Sequence, residues 1–228
     1  MTEPINATVA RMIRQANSAS ASGDHAEAQR AAREAVQYAS RSVQHRPTRA
    51  AAHYTLAAAL WADENASMDE AREHAVRGLE LATVHTDEYY LAMTLLARID
   101  AGLGNLESAR ALNENLLDIY THKNRRRGIA DVLRSMGDLA LKENNLAAAR
   151  EYFQQGLAIY ESGVDDPLNQ AGLLLSLGTL AYREGAPEQA QQHWDMARSI
   201  GEMHHLPQVV RSAQQGLDLL AEITEDEP

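Results

Sequence analysis

The sequence predicts an all-α protein, a stack of about five helical hairpins closed by one further helix, on three observations. Five alanines, Ala28, Ala71, Ala109, Ala149 and Ala190, recur at spacings of 43, 38, 40 and 41 residues in similar surroundings. Alanine, leucine, glutamate, glutamine and arginine dominate, all good helix formers, while aromatic residues make up only 5% and phenylalanine occurs once, at Phe153. Cysteine is absent, so disulfides and thiolate sites are excluded and packing must hold the chain together. A helical unit copied at this period cannot bury its apolar face alone and must stack on its neighbours.

Each hairpin is justified by residues at fixed places around its marker alanine. Twelve residues before the marker stand Ala16, Ala59, Ala97, Gly137 and Gly178, so both helices carry a small residue where they cross. Five residues before the marker stand Gly23, Ala66, Gly104, Asn144 and Gly185; glycine and asparagine suit the left-handed residue that ends a helix. Asp24, Ser67, Asn105 and Asn145 follow as caps of the second helix, and Pro187 with Glu188 makes a good first turn in the fifth copy. Glu27 and Glu70 stand at capping-box distance from Asp24 and Ser67. Four residues after the marker come Ala32, Ala75, Asn113, Phe153 and Trp194, and seven after it Ala35, Gly78, Leu116, Gly156 and Ala197, a stripe facing a neighbouring helix.

These places set hairpins at about 9–44, 49–85, 88–122, 128–162 and 168–204. A sixth amphipathic segment, 206–223, carries Val209, Val210, Ala213, Leu217, Leu220 and Ala221 on one side and should cap the stack. Residues 1–223 are expected to form one repeat domain, with 224–228 a flexible acidic tail.

In the fourth and fifth copies the sets Gly137, Ala149, Phe153, Gly156 and Gly178, Ala190, Trp194, Ala197 resemble the tetratricopeptide repeat. The resemblance runs over roughly residues 9–204, at a period of about 40 residues rather than the family's usual ~34. It implies a right-handed superhelical solenoid, whose concave side is lined by the first helix of each repeat and binds a protein or peptide segment. Carried over by register, that side takes Asn17, Leu56, Asp63 and Leu175, and as the candidate groove proper Thr94, Arg98, Arg134, Asp138, Lys142, Thr179, Tyr182 and Arg183. Arg98, Arg134, Lys142 and Arg183 would form a row of cations suited to a carboxylate or acidic side chains. The same side chains would otherwise pair with neighbouring acids such as Asp131 and Asp138 and solvate the groove.

The function expected is therefore a non-catalytic protein- or peptide-binding scaffold. The alternatives are a sensor of a short signalling peptide, as the family's peptide receptors suggest, and a self-associating module that forms a homodimer. No phosphate-binding glycine loop, serine elbow or EF-hand loop is present, so no catalytic residue and no cofactor is expected. No metal site is expected either: Glu202 and His205 have a di-iron spacing without its second copy, and Glu70 with His74 reads as a helix-surface pair. A formal charge of −11 argues against nucleic acid. The basic run His122 to Arg127 reads as a solvated loop between the third and fourth copies. The segment 1–14 lacks a signal-peptide core and the longest uncharged run, 171–182, is too short to span a bilayer, so a cytoplasmic protein away from the membrane is expected.

Overall fold

A computed structural model describes residues 5–41 and 45–225. Among the described residues the protein is all-α and 84% helical, with eleven helices and no strand. They are α1 (Ile5–Ser22), α2 (His25–Ala39), α3 (Arg46–Trp61), α4 (Met68–Leu81), α5 (Asp87–Leu103) and α6 (Leu106–His122), then α7 (Arg126–Lys142), α8 (Leu146–Glu161), α9 (Pro167–Arg183), α10 (Pro187–Met203) and α11 (Pro207–Glu225). The chain forms two compact units, residues 1–112 and 113–228, with the boundary inside α6.

In the first unit, α1 packs on α2, α2 on α3, α3 on α4 and α4 on α5. Ala16, Ala28, Ala59, Ala71, Ala97 and Ala109 are all buried, which is what close helix crossings need. The core is largely alanine from α1 and α2, filled by Leu56, Leu60, Leu95, Leu96 and Ile99 from α3 and α5. Leu56, expected on the concave side, is instead 2% exposed. The reason is that α3 is packed by α1, α2, α4 and α5, which leaves that face of the helix no open side.

Among the described residues, one charged side chain lies within this unit's interior. Asp100 on α5 is completely buried, and it accepts from Arg72 Nε at 2.5 Å, Ser108 Oγ at 2.6 Å and Asn105 Nδ2 at 3.3 Å. Burial by itself would raise the Asp100 carboxyl, but these three donors and the Arg72 charge outweigh it and hold its pKa below the ordinary value.

In the second unit, α7 packs on α8, α8 on α9, α9 on α10 and α10 on α11. Here the bulk at the helix seams comes from the second helix of each hairpin. Phe153 is fully buried, and a Cβ built on Gly137 would overlap its ring. Trp194 is wedged between Gly178 of α9 and Gly216 of α11, both of which would collide with the indole if they carried a side chain. Its Nε1 donates to the Leu175 carbonyl at 3.2 Å, so the one polar atom of the ring is satisfied.

The helix ends follow local chemistry. Gly23, Gly104, Asn144 and Gly185 adopt positive φ of 78°, 82°, 60° and 73°. Ala66, at the matching place in the second copy, does not, because a Cβ disfavours that conformation; a six-residue connection makes the turn there. Asp24, Ser67 and Asn145 accept from the N–H groups of Glu27, Glu70 and Ala148 at 3.0, 3.2 and 3.1 Å. Helix α11 continues to Glu225, so the expected tail is helical at Thr224 and Glu225, and its last three residues lie outside those described. Among the described residues no helix is long and apolar enough to cross a membrane.

Candidate partner-binding groove

Helix α9 explains why a groove forms in the second unit. Its uncharged stretch buries Ala171, Leu174, Gly178 and Ala181 on one face, while Leu175, Ser176, Thr179 and Tyr182 lie along another at helical spacing. These four, with Asp138 and Leu141 of α7, Trp194 of α10 and Ser212, Gln215 and Leu219 of α11, line a concavity of about 670 Å³. Its walls are mostly apolar, and Leu219 is 40% exposed. Tyr182 and Trp194 stand with ring centroids 6.2 Å apart.

The candidate residues separate into three groups. Asp138, Thr179, Tyr182 and Arg183 come together at this concavity. Arg134 and Lys142 lie on the same helix as Asp138 but do not line it: Lys142 is exposed at the helix end, and Arg134 is largely buried. Thr94 and Arg98 belong to the other unit, where Thr94 donates to the Tyr90 carbonyl and Arg98 lies 5.9 Å over the Trp61 ring. Of the other positions on that side, Asn17 is exposed, and Asp63 accepts from Gln29 Nε2 at 2.8 Å.

Both arginines of this unit's candidate set are engaged by the scaffold. Arg183 donates through Nη1 to the Leu141 carbonyl at 2.6 Å and through Nη2 to Asn144 Oδ1 at 3.0 Å, closing the C-terminal end of α7. Arg134 Nη2 donates to Asp131 Oδ1 at 3.1 Å, and its Nη1 lies where a side chain on Gly172 would sit. Burial acts to lower the Arg134 pKa, but Asp131 and Asp138 outweigh it and raise it. Its Nε is buried without a hydrogen-bond partner. Asp138 accepts from Ser176 Oγ at 2.7 Å across α7 and α9. Nearby, burial, with Asp166 and Asp131 adding to it, pushes the Tyr160 phenol up to about 12.

The basic run does not stand as a solvated loop throughout. Helix α7 begins at Arg126; Arg126 donates to Ser162 Oγ and Arg127 to the Asp165 carbonyl, with Arg127 Nε 3.1 Å from Asp166 Oδ2. His205 has φ of 56° and follows the end of α10, so Glu202 and His205 lack the shared helical face a di-iron pair needs. Among the described residues no group of three or more histidines and carboxylates is placed to hold a metal ion. His74 Nε2 lies 3.9 Å from Glu70 Oε1, the pairing expected from their spacing.

Sequence reasoning missed Leu219 and Gly216. A signal for both was present, since Gly216 stands 38 residues after Gly178, one period on, and marks α11 as a further first helix. Trp194 was expected as a seam residue; it is that, and it also forms a wall of the groove.

The comparisons with known proteins agree with the fold. Residues 88–162 match the tetratricopeptide repeat family. No curated protein matches the chain. Among solved structures, BtubC from P. vanneervenii is similar with a TM-score of 0.68 at 21% identity, over 89% of this chain and 83% of that one. A kinesin-light-chain-like protein of Podosopora anserina with nearly identical TPR-like repeats gives 0.64 at 17% identity, over 90% and 100%. The Rap conjugation gene regulator of plasmid pLS20, in complex with the Phr* peptide, gives 0.72 at 14% identity, over 92% of this chain and 62% of that one. At these identities the likeness is one of fold.

Proposed function

We propose that this protein, whose residues 88–162 match the tetratricopeptide repeat family and whose fold is tetratricopeptide-like, is a non-catalytic scaffold that binds a protein or peptide segment in the groove of residues 113–228. The observation that carries the reading is the apolar concavity between α7, α9 and α11, walled by Leu175, Tyr182, Trp194 and Leu219. A volume of about 670 Å³ is within the range of ~300–1,000 Å³ typical of small-ligand pockets. It seats one or two apolar side chains of a segment rather than a whole helix, with the Ser176 and Thr179 hydroxyls beside the segment's backbone. Arg183 spends two donors on Leu141 of α7 and on Asn144 just beyond it and keeps others for a carboxylate, and exposed Lys142 adds charge at the end of α7.

A short peptide is a second reading favoured by one comparison, because the Rap regulator is solved with a peptide bound. Thr179→Trp combined with Leu219→Asp fills and charges the groove from two exposed positions. Partners captured from native extract by the wild-type protein should be lost from this variant, while circular dichroism and the melting temperature stay within a few degrees of wild type. Calorimetry with a short peptide derived from a captured partner separates the two readings. Full retention of every partner by a folded variant removes the groove from the proposal.

A further inference from the structure

Two histidines of the first unit meet across the second hairpin. His53 of α3 and His74 of α4 place their Nδ1 atoms 2.9 Å apart, with ring centroids 5.1 Å apart and planes tilted by 32°. That centroid distance is what a straight N–H···N bond of 2.9 Å between two five-membered rings gives. The lone pair of one imidazole therefore points along the N–H of the other, and both rings are at least half-buried. The bond needs one Nδ1 protonated and the other bare. Both rings neutral satisfies it, and a single added proton on the far nitrogen of the donor ring preserves it as a charge-assisted bond. A second proton puts two N–H groups head to head and destroys it.

The surroundings favour the neutral or singly charged pair. Helix α2 supplies Arg33, α3 supplies Arg49, and α4 supplies Glu70, Glu73 and Arg77 around the two rings. Arg33 holds Glu70 through both terminal guanidinium nitrogens, and Glu70 faces the outer nitrogen of His74 at 3.9 Å. His74 is thus the ring that takes the first proton, with a carboxylate beside it. His53 faces Arg49 and Arg77 and, once His74 is charged, an imidazolium.

We propose that the His53–His74 pair is a pH-sensitive clasp, closed at neutral pH and opened by the second protonation, which loosens α3 from α4. Burial, then the His74 and arginine charges, push His53 down to about 4. Burial also lowers His74, partly offset by Glu70 and Glu73. Because these bases are depressed in the folded state, their contribution is complete above the unfolded pKa of ~6.5 and is lost as pH falls from there towards 4.

Nitrogen-15 imidazole spectra of the unmodified protein should show His53 and His74 coupled, with one ring titrating well below 6.5 and its shift following the other's. Amide exchange, corrected for intrinsic rate, should quicken in residues 46–81 between pH 6.5 and 4.5. The doubly substituted His53→Gln, His74→Gln protein should show no such pH-dependent step and a flatter melting-temperature profile over that window. Two independent titrations near 6.5, or the same pH-dependent exchange in the double variant, would overturn the clasp. If the double variant does not fold, the imidazole titration of the unmodified protein decides alone.

Discussion

Trp194 joins three helices of the second unit, its indole held between Gly178 of α9 and Gly216 of α11. The residue is 4% exposed, and the two glycines against the indole bring no side-chain bulk of their own to fill its place. Trp194→Ala should therefore cost about 3–5 kcal/mol, because the surrounding helices collapse only partly into the space. At Gly137 the opposite change tests the same close fit: Gly137→Leu overlaps the Phe153 ring and should cost about 1–3 kcal/mol or more. Urea unfolding of both variants measures these values, and wild-type midpoints in both would show that these seams do not bear the packing assigned to them.

Helices are tied to one another by arginines as well as by apolar stripes. At the start of α3, Arg46 donates through Nε to the Leu81 carbonyl at 3.1 Å and through Nη2 to the Glu80 carbonyl at 2.5 Å, at the end of α4. At the start of α7, Arg126 reaches Ser162 just past the end of α8. In both hairpins a cation that begins the first helix meets the negative end of the second, where carbonyls lack partners and the helix dipole favours positive charge. Arg46→Gln should cost about 1 kcal/mol, since the site is largely exposed and water replaces much of what is lost. The change should appear as faster amide exchange in the last turn of α4, with the global unfolding midpoint moving little.

Across the whole molecule, stability should depend on pH through groups that only the fold brings together. Asp100 is held below the ordinary carboxylate range by Arg72, Ser108 and Asn105. Asp100→Ala leaves those donors without their acceptor and should cost about 2–3 kcal/mol at neutral pH. The wild-type advantage is complete above the unfolded value of ~3.9 and vanishes as pH falls through the lower folded one. The gap between the melting curves of the two proteins should hold from pH 7 to about 4 and narrow below that; a gap that stays constant on further acidification would mean that the Asp100 charge contributes nothing. The sequence reading named neither Asp100 nor the His53–His74 contact, because the groups involved are 28 and 21 residues apart and no periodicity joins them. The groove was half legible: Asp138, Thr179, Tyr182 and Arg183 followed from register. Arg134 followed the same register yet turned into the interior beside Gly172.

Repetition of small residues at a matched period was enough to determine helix type, hairpin order and the crossing points. Those depend on short-range geometry, namely 3.6 residues per turn and the absence of bulk where two helices touch. Tertiary structure alone decided which polar side chains are used up by the scaffold and which remain for a partner. A charged side chain goes to whichever carbonyl, carboxylate or ring the packed helices bring within reach, as Arg183 does with Leu141 and Asn144, and that distance is written nowhere in the order of residues.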